Sequence, residues 1–374
     1  MRLVFWQIII DQLQLPYIVH LLDDKRVDEV VVVVGEKMID GRKDMGWNTD
    51  FPGIEKCLVC YSPDEQTVRQ IFSKRQSESI HLFTGIRGFE CVYRNFLISL
   101  DYDIKRGFIT ERPLTYAYGV DWAKPMWMHK LRFLIQDRKY IPKIDYVFAI
   151  GEECCKYYKS ISSRWKVFPF MYCTLDSPIC QERNSSEDIC RLVFVGSLSK
   201  RKSVITLLKV INRLRKNGYD GLFKLTIVGN GPERNNLESY VGENNLHEVE
   251  FLGTVNNKDL PKLLSQQDVL ILPSIHDGWG AVINEALQTG VYAVCSNKCG
   301  AKEMLRSKEL GQVFSNEQQL YKILKEIIPQ ISEVRMQADS RRMWAKKSIS
   351  GNVIAQYMVD VLKGIDRIQP WGIC

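Results

Sequence analysis

The chain of 374 residues is long enough for two or three domains with sizeable cores. Its apolar fraction of 45% and charged fraction of 25% are ordinary for a soluble globular protein. The formal charge of +7 favours anionic partners such as nucleotides, pyrophosphates or an anionic membrane surface. No aromatic and basic RNA-binding pattern or helix-turn-helix pattern accompanies this charge, so nucleic acid is not an expected partner.

The cysteines and the N-terminus indicate a cytoplasmic protein. Eleven cysteines are scattered along the chain, and the pair Cys57 and Cys60 has no second pair at zinc-like spacing, which favours reduced, buried thiols. The first ten residues, MRLVFWQIII, lack a cleavage site and predict a core strand rather than a signal peptide. No apolar run approaches the roughly 18 residues of a membrane span, so any membrane contact is expected to be peripheral.

The first half predicts alternating strands and helices, which is typical of a parallel sheet in an α/β domain. Short apolar runs that end in turn residues predict strands at 3–10, 30–34, 57–61, 79–83, 108–110 and 144–150. Helical spacing predicts helices at 16–22, 129–139 and 152–159, and a polar stretch predicts a loop at 38–48.

A cluster of aromatic and methionine side chains precedes the helix at 129–139. Its members are Trp122, Met126, Trp127 and Met128. Five cations crowd the same segment: Lys130, Arg132, Arg138, Lys139 and Lys143. Core packing beside a solvated face is one interpretation, and a patch that lies on a membrane surface is the other.

The second half repeats the alternation. Strands are expected at 191–195, 223–228, 249–252 and 269–272, with another beginning at 291. Helices are expected at 204–214, 260–266, 282–288, 314–328 and 344–362. The stretch 270–295 reads LILPSIHDGWGAVINEALQTGVYAVC, which predicts a strand, a glycine-rich turn, a helix and a strand. The turn would aim backbone N–H groups at one spot, a ready anion site flanked by Asp277 and Glu285.

Asp277-Gly-Trp-Gly280 followed by Glu285-Ala286 resembles the E-x7-E signature of glycosyltransferase family 4. These retaining enzymes have the α/β GT-B fold, in which two Rossmann-like domains face each other across a cleft. The first acid of the signature is usually Glu and is Asp277 here, which shortens the side chain by one methylene.

Three further turns follow the order of this family. After the strand at 191–195 the chain reads Gly196-Ser197-Leu198, where Ser197 replaces the usual Arg, and Lys202 falls at the lysine that binds the donor phosphate. Lys200 and Arg201 are either solvated or stand in for the lost Arg. The turn that begins at Gly229 brings backbone close to the nucleotide, and the base is read after the strand at 249–252.

The resemblance implies catalytic roles for Asp277, Lys202 and Glu285. The residues expected to bind the donor share these four turns: Gly196, Ser197, Lys202, Gly229, Asn230, Gly231, Thr254, Val255, Gly278, Trp279, Gly280, Ala281, Val282 and Glu285. His81, Arg87 and Glu111 are expected on the acceptor side. The resemblance implies a histidine in this domain, and Arg87 lies just beyond a strand loop, where it could reach an anionic group. Glu111 lies at the carboxyl end of a strand, where open α/β sheets place functional groups. A hydrogen-bonded core His81, a solvated Arg87 and a pair between Glu111 and Arg112 are the structural alternatives.

The resemblance also implies a domain organisation. Residues 1–170 would form the acceptor-side domain, 171–189 the linker and 190–343 the domain that binds the nucleotide sugar. Residues 344–374 would form a C-terminal helix that crosses back to the first domain.

The implied function is retaining transfer from a nucleotide-diphosphate sugar to a glycan or lipid-linked acceptor, in bacterial surface polysaccharide synthesis. No cofactor and no metal ion are expected, because fixed cations replace Mg²⁺ in the family. The expected location is the cytoplasm, including the inner face of the cell membrane. The alternatives are a sugar-nucleotide epimerase or phosphorylase of the same fold, and a nucleotide-sugar-binding protein that has lost catalysis. The departures at Asp277 and Ser197 favour the last of these.

Overall fold

The computed structural model describes residues 1–36, 51–113, 125–176 and 189–372. Contacts divide the chain into two compact units: the described residues of 1–172 with Ala355–Gln369, and those of 173–354 with 370–372. The predicted loop at 38–48 lies outside the described residues, as do residues 177–188 of the linker predicted at 171–189. In the described part no helix is long and apolar enough to cross a membrane, and none of the nine cysteines there forms a disulfide. The domain roles and limits predicted from the sequence stay predictions.

The first unit is built on a sheet of seven parallel strands in the order β3-β2-β1-β4-β5-β6-β7. The strands are Arg2–Gln7 (β1), Glu29–Val34 (β2), Leu58–Tyr61 (β3), Ser79–Thr84 (β4), Lys105–Thr110 (β5), Tyr146–Ile150 (β6) and Lys166–Phe170 (β7). The central strand β1 is buried along its whole length, as its continuous apolar sequence predicts for a parallel sheet covered on both faces.

Helices cover this sheet and fill its core. They are Leu15–Ile18 (α1), Glu65–Ser73 (α2), Glu90–Ser99 (α3), Met126–Gln136 (α4) and Glu152–Ile161 (α5). Asp64 caps α2, because its carboxylate accepts a hydrogen bond from the Thr67 N–H at 2.8 Å. On the buried side of α2 the ring of Phe72 stacks on Trp6 of β1, with 4.6 Å between the ring centroids.

The second unit contains six parallel strands in the order β10-β9-β8-β11-β12-β13. They are Cys190–Val195 (β8), Phe223–Val228 (β9), Val249–Gly253 (β10), Val269–Leu272 (β11), Tyr292–Ser296 (β12) and Gly311–Phe314 (β13). The strand order reverses direction between the neighbours β8 and β11. Open parallel sheets bind ligands at such a switch point, outside the carboxyl ends of the strands.

The remaining helices follow in chain order. They are Val204–Leu214 (α6), Arg234–Glu243 (α7), Leu260–Leu264 (α8), Val282–Thr289 (α9), Glu317–Ile327 (α10), Ile331–Met336 (α11), Ala338–Ser348 (α12) and Gly351–Leu362 (α13). Residues 355–362 of α13 group with the first unit. There the Tyr357 hydroxyl donates a hydrogen bond to the Pro169 carbonyl at 3.0 Å.

Three predicted elements differ from the structure. The helix predicted at 314–328 begins only at Glu317, because Phe314 ends the edge strand β13. The helix predicted at 344–362 is two helices, with Ile349 and Ser350 between them. The helix predicted at 16–22 is the single turn α1 followed by a 3₁₀ turn at Leu21–Asp23. Strand β7 was not predicted because it contains Pro169, which an edge strand tolerates.

Arg341 of α12 is fully buried and holds three separate segments of the second unit together. Its guanidinium donates to the carbonyls of Gly290 at 2.7 Å, Glu309 at 3.0 Å and Val334. Burial lowers the pKa of this guanidinium to about 10. The three carbonyls depend on it, since a buried acceptor that loses its donor costs its full desolvation free energy.

We predict that Arg341→Ala lowers the free energy of unfolding by about 3–5 kcal/mol, because it leaves a cavity and takes the donor from one buried and two partly buried carbonyls. Urea denaturation followed by circular dichroism measures the change. Lys346→Ala, an exposed position on the same helix, serves as the control and is expected to stay within about 0.5 kcal/mol. Equal midpoints for the two variants would contradict the role of Arg341.

Candidate active site in the second unit

Two turns meet at the switch point of the second sheet. Lys202 ends a 3₁₀ turn, Lys200–Lys202, that follows β8, and Asp277 lies in the turn between β11 and α9. The Lys202 Nζ donates to Asp277 Oδ2 at 2.5 Å, and the two side chains are only 12% and 11% exposed. Both were predicted as site residues, and this ion pair joins them directly.

Arg201 adds a second cation to the same carboxylate. Its guanidinium donates to the His276 carbonyl at 2.9 Å and lies 3.8 Å from Asp277 Oδ1. The Ile275 N–H donates to the Arg201 carbonyl at 2.9 Å, which fixes the backbone of the two turns together. Two cations against one carboxylate leave an excess of one positive charge at this spot. The sequence left Arg201 open between a solvated residue and a replacement for the lost Arg, because neighbouring basic residues in a turn are usually solvated.

The first turn of α9 presents backbone donors beside this pair. Within the described residues, the N–H groups of Ala281 and Val282 donate to no acceptor. Gly280 has a φ of +93°, and a Cβ there would lie 2.6 Å from the Cys299 sulfur, so only glycine fits. The arrangement therefore supplies free donors at the positive end of an eight-residue helix.

The loop after β12 holds the Asp277 turn in place. The Asp277 N–H donates to the Lys298 carbonyl at 3.1 Å, and the Gly300 N–H donates to the Asp277 carbonyl at 3.1 Å. The Cys299 thiol donates to the Trp279 carbonyl at 2.8 Å. Gly278 lies between these anchors. A Cβ on Gly300 would lie only 2.1 Å from the Gly278 carbonyl oxygen, so the two backbones approach each other closely. These contacts fix the backbone on both sides of the carboxylate.

Trp279 turns away from solvent. Its side chain is buried and its indole N–H donates to the Asn284 side-chain oxygen at 2.9 Å. The structure therefore uses Trp279 to anchor the turn to α9, and only its backbone borders the site. Asn284, which sequence reasoning missed, completes this anchor.

Glu285 lies on the first turn of α9 and is partly buried. Its withdrawal from water raises the pKa of the carboxyl to about 7. A carboxyl with this pKa is balanced between its neutral and charged forms at neutral pH. Hydrogen-bond donors from a bound ligand would shift the balance toward the carboxylate.

The predicted glycine turns after β8 and β9 pack against each other. A Cβ at Gly229 would lie 1.9 Å from the Gly196 carbonyl oxygen, and the Leu198 N–H donates to the Asn230 carbonyl at 2.9 Å. The Gly231 N–H donates to the Asn230 side-chain oxygen at 2.9 Å. These glycines are thus required by the close approach of two backbones.

Three other predicted donor positions make no contact with the ion pair. Thr254 and Val255 follow β10, the edge strand two places from β8. The Ser197 hydroxyl lies 3.4 Å from the hydroxyl of Ser199. Within the described residues no hydrogen bond or ion pair joins these three residues to Lys202 or Asp277, and their roles stay predictions.

The three residues predicted on the acceptor side have different surroundings in the first unit. His81 is buried within β4, where it accepts a hydrogen bond from the Trp6 indole at 3.2 Å, and burial lowers its pKa well below the ordinary value. Arg87 donates to Asp137 at 2.7 Å. Glu111 follows β5, and its charge adds to the burial that raises the pKa of Tyr172. The core position of His81 counts against an acceptor role, and all three roles stay predictions.

No group of three or more His, Cys, Asp or Glu side chains able to hold a metal ion occurs among the described residues. Lys202, Arg201 and the start of α9 contribute fixed positive charge to this edge of the sheet. The expectation of metal-independent chemistry stays a prediction.

The fold defined by the two sheets is the GT-B fold. The chain matches the structure of HepE from Anabaena, which was solved in complex with UDP, with a TM-score of 0.70 over 97% of this chain and 100% of that chain. The sequence identity is 14%, so this likeness concerns the fold alone.

The second half of the chain matches the model of a family described as glycosyl transferases group 1, over residues 179–348. An uncharacterized glycosyltransferase of Methanocaldococcus jannaschii is 32% identical over 128 residues, which are 33% of this chain and 32% of that protein. The O-antigen biosynthesis glycosyltransferase WclY of Escherichia coli is 29% identical over 103 residues, 27% of each protein. The chain thus spans about a third or less of the length of these curated relatives.

We predict that the ionisation of Glu285 destabilises the unliganded protein as pH rises. The folded state keeps the proton up to a pKa of about 7, whereas the unfolded state loses it near 4.5. The stability that the protonated carboxyl contributes is therefore fully present below pH 4.5 and is lost as the pH rises through 7. Glu285→Gln removes this fall, so between pH 5 and pH 8 the variant should gain on the order of 2 kcal/mol relative to the parent. Urea denaturation at each pH measures the difference. Glu326→Gln, an exposed position on α10, should gain nothing, and a Glu285→Gln profile parallel to the parent would contradict the shift.

Proposed function

We propose that this protein is a retaining glycosyltransferase of family 4, which transfers a sugar from a nucleotide-diphosphate sugar to a glycan or lipid-linked acceptor. The observation that carries the proposal is the excess positive charge at the β8–β11 switch point, next to free N–H groups of α9. The match of residues 179–348 to the group 1 glycosyl transferases supports the same assignment.

The diphosphate of the donor fits the Lys202 and Arg201 side. A diphosphate carries two or more negative charges and favours both point cations and an N–H nest. Arg201 supplies the planar guanidinium that Ser197 cannot supply after β8. Its anchor on the His276 carbonyl at 2.9 Å leaves its other N–H groups to bind phosphate oxygens. We therefore assign Arg201 to the donor site beside Lys202.

Glu285 fits the ribose of the nucleotide. Two adjacent hydroxyls can donate to one carboxylate, and such bonds favour its charged form. Because burial holds the pKa of Glu285 at about 7, such hydrogen bonds would draw the proton off the carboxyl at neutral pH. Asp277 would hold hydroxyls of the transferred sugar, from the turn that the β12 loop fixes.

In the proposed reaction, the bond between the anomeric carbon and the diphosphate breaks and negative charge grows on the leaving phosphate. Lys202, Arg201 and the N–H groups of α9 would stabilise that charge, the largest single contribution in many enzymes. Holding the acceptor hydroxyl close to the anomeric carbon contributes the rest. Attack from the same face retains the configuration without a protein nucleophile. The reaction would need no metal ion, because these fixed cations carry the charge.

The proposed acceptor is a bacterial surface glycan or its lipid-linked precursor. The relative WclY is named for O-antigen biosynthesis, which supports this setting. A nucleotide-sugar-binding protein without catalysis is the second candidate. It is favoured by the close ion pair of Asp277 with Lys202, which engages the carboxylate expected to hold the sugar.

We predict that one class of nucleotide sugar raises the melting temperature in a thermal-shift screen of UDP-, GDP-, CMP- and dTDP-linked sugars without metal. At a ligand concentration about 100-fold above Kd, binding adds about 2.7 kcal/mol to the free energy of unfolding. The shift should disappear in Glu285→Ala. If none of the four classes gives a shift, the donor site is wrongly assigned. Binding without sugar transfer to any acceptor would favour the non-catalytic candidate.

We predict that Lys202→Ala and Arg201→Ala each lower donor-dependent turnover by about 10² or more, because each removes a cation from the developing charge. Lys200→Ala is the matched control, since Lys200 is exposed in the same 3₁₀ turn, and it should keep turnover within about threefold. Release of nucleotide and product is measured at saturating donor. A larger loss in Lys200→Ala than in Arg201→Ala would exclude the role given to Arg201.

A further inference from the structure

Helix α4 is apolar on both of its faces. Met126 and Phe133 point inward and pack against the core of the first unit. On the outward face, Trp127, Leu131 and Ile135 stand four residues apart and are 65%, 49% and 73% exposed. An apolar row along a helix is normally buried against another element. Its outward row therefore lacks a cover among the described residues.

The cations around this row have no carboxylate to neutralise them. Residues 126–143 contain five basic side chains: Lys130, Arg132, Arg138, Lys139 and Lys143. Asp137 is the only acid in the segment, and it is buried and bound to Arg87. Within the part of the chain that the structure describes, none of the five cations lies within ion-pair distance of a carboxylate.

We propose that this α4 surface, formed by the apolar row and the five cations, docks on an anionic phospholipid bilayer. The helix would lie in the plane of the membrane, with Trp127, Leu131 and Ile135 at the boundary of headgroups and acyl chains. Lys and Arg side chains extend their apolar stems along this boundary and keep their charges at the level of the lipid phosphates.

Charge selects this occupant over a second copy of the chain. A symmetric dimer through the α4 surface would bring the five cations of one copy against the five of the other, and like charges across an interface oppose association. An anionic bilayer satisfies the apolar row and the cations together. The inference does not depend on the proposed transfer reaction, although a lipid-linked acceptor would be found at the same membrane.

The test is co-sedimentation of the full-length protein with vesicles. Vesicles of phosphatidylglycerol and phosphatidylcholine are compared with phosphatidylcholine alone, at low and high salt. We expect binding to the anionic vesicles only, and weaker binding at high salt. Replacing Arg138 and Lys139 by Ala should lower partitioning about 30-fold, because each cation near an anionic surface contributes a factor of about five.

The apolar row is tested by a double variant, Trp127→Gln with Ile135→Gln, which should lower partitioning at least tenfold. Its matched control is Ile365→Gln with Ile368→Gln, since both isoleucines are exposed in the same unit, at 49% and 69%. Melting temperatures show whether each variant is folded. If the Trp127 and Ile135 variant does not fold, the variant at Arg138 and Lys139 still tests the proposal.

Three results would overturn the proposal. One is the absence of sedimentation of the parent with anionic vesicles. Another is an equal loss of partitioning in the control variant at Ile365 and Ile368. The third is a dimer of the parent in solution that the Trp127 and Ile135 variant converts to a monomer, which would assign the α4 surface to a second copy. Thermal shifts with nucleotide sugars are expected to be equal in all these variants, so failure of the donor site is seen separately.

Discussion

The ion pair between Lys202 and Asp277 is the contact on which the candidate site depends. It joins residues 75 positions apart, on turns that follow neighbouring strands of the second sheet. Both side chains are nearly buried, so each ion has given up most of its water and relies on the other. The loop after β12 adds backbone hydrogen bonds on both sides of Asp277. The position of the carboxylate is therefore fixed before any ligand arrives.

The same pair explains how an anion site can exist in the unliganded protein. An isolated Lys202 at 12% exposure would be costly, and Asp277 offsets that cost. Arg201 then leaves one charge in excess, and the N–H groups of α9 add to the positive field. A bound diphosphate has to compete with the Asp277 carboxylate for Lys202. Lys202 would therefore exchange one anionic partner for another on binding, since it already has a partner. Such an arrangement favours ligands with more than one negative charge.

The sequence predicts the parts of the site that are local and misses those that arise from packing. Strands β9 and β11 have the predicted limits, since each is an apolar run closed by a turn. Gly290 ends α9 with a φ of +85°, as a glycine directly after an apolar helical stretch predicts. Arg201 could not be distinguished from a solvated residue, because its partner His276 is distant in sequence. The inward turn of Trp279 likewise depends on Asn284 of the following helix.

The first sheet shows why position along a strand matters more than residue type. Parallel sheets covered on both faces bury the middle of each strand, so the polar ring of His81 packs against both Trp6 and Phe72, and burial lowers its pKa. Glu111 comes after the last residue of β5, where the chain leaves the sheet, and it shares its surroundings with Tyr172 and Asp11. Open α/β sheets place functional groups at the carboxyl ends of their strands. Glu111 lies at such an end and His81 lies inside its strand, so of these two predicted acceptor-side residues Glu111 agrees better with that rule.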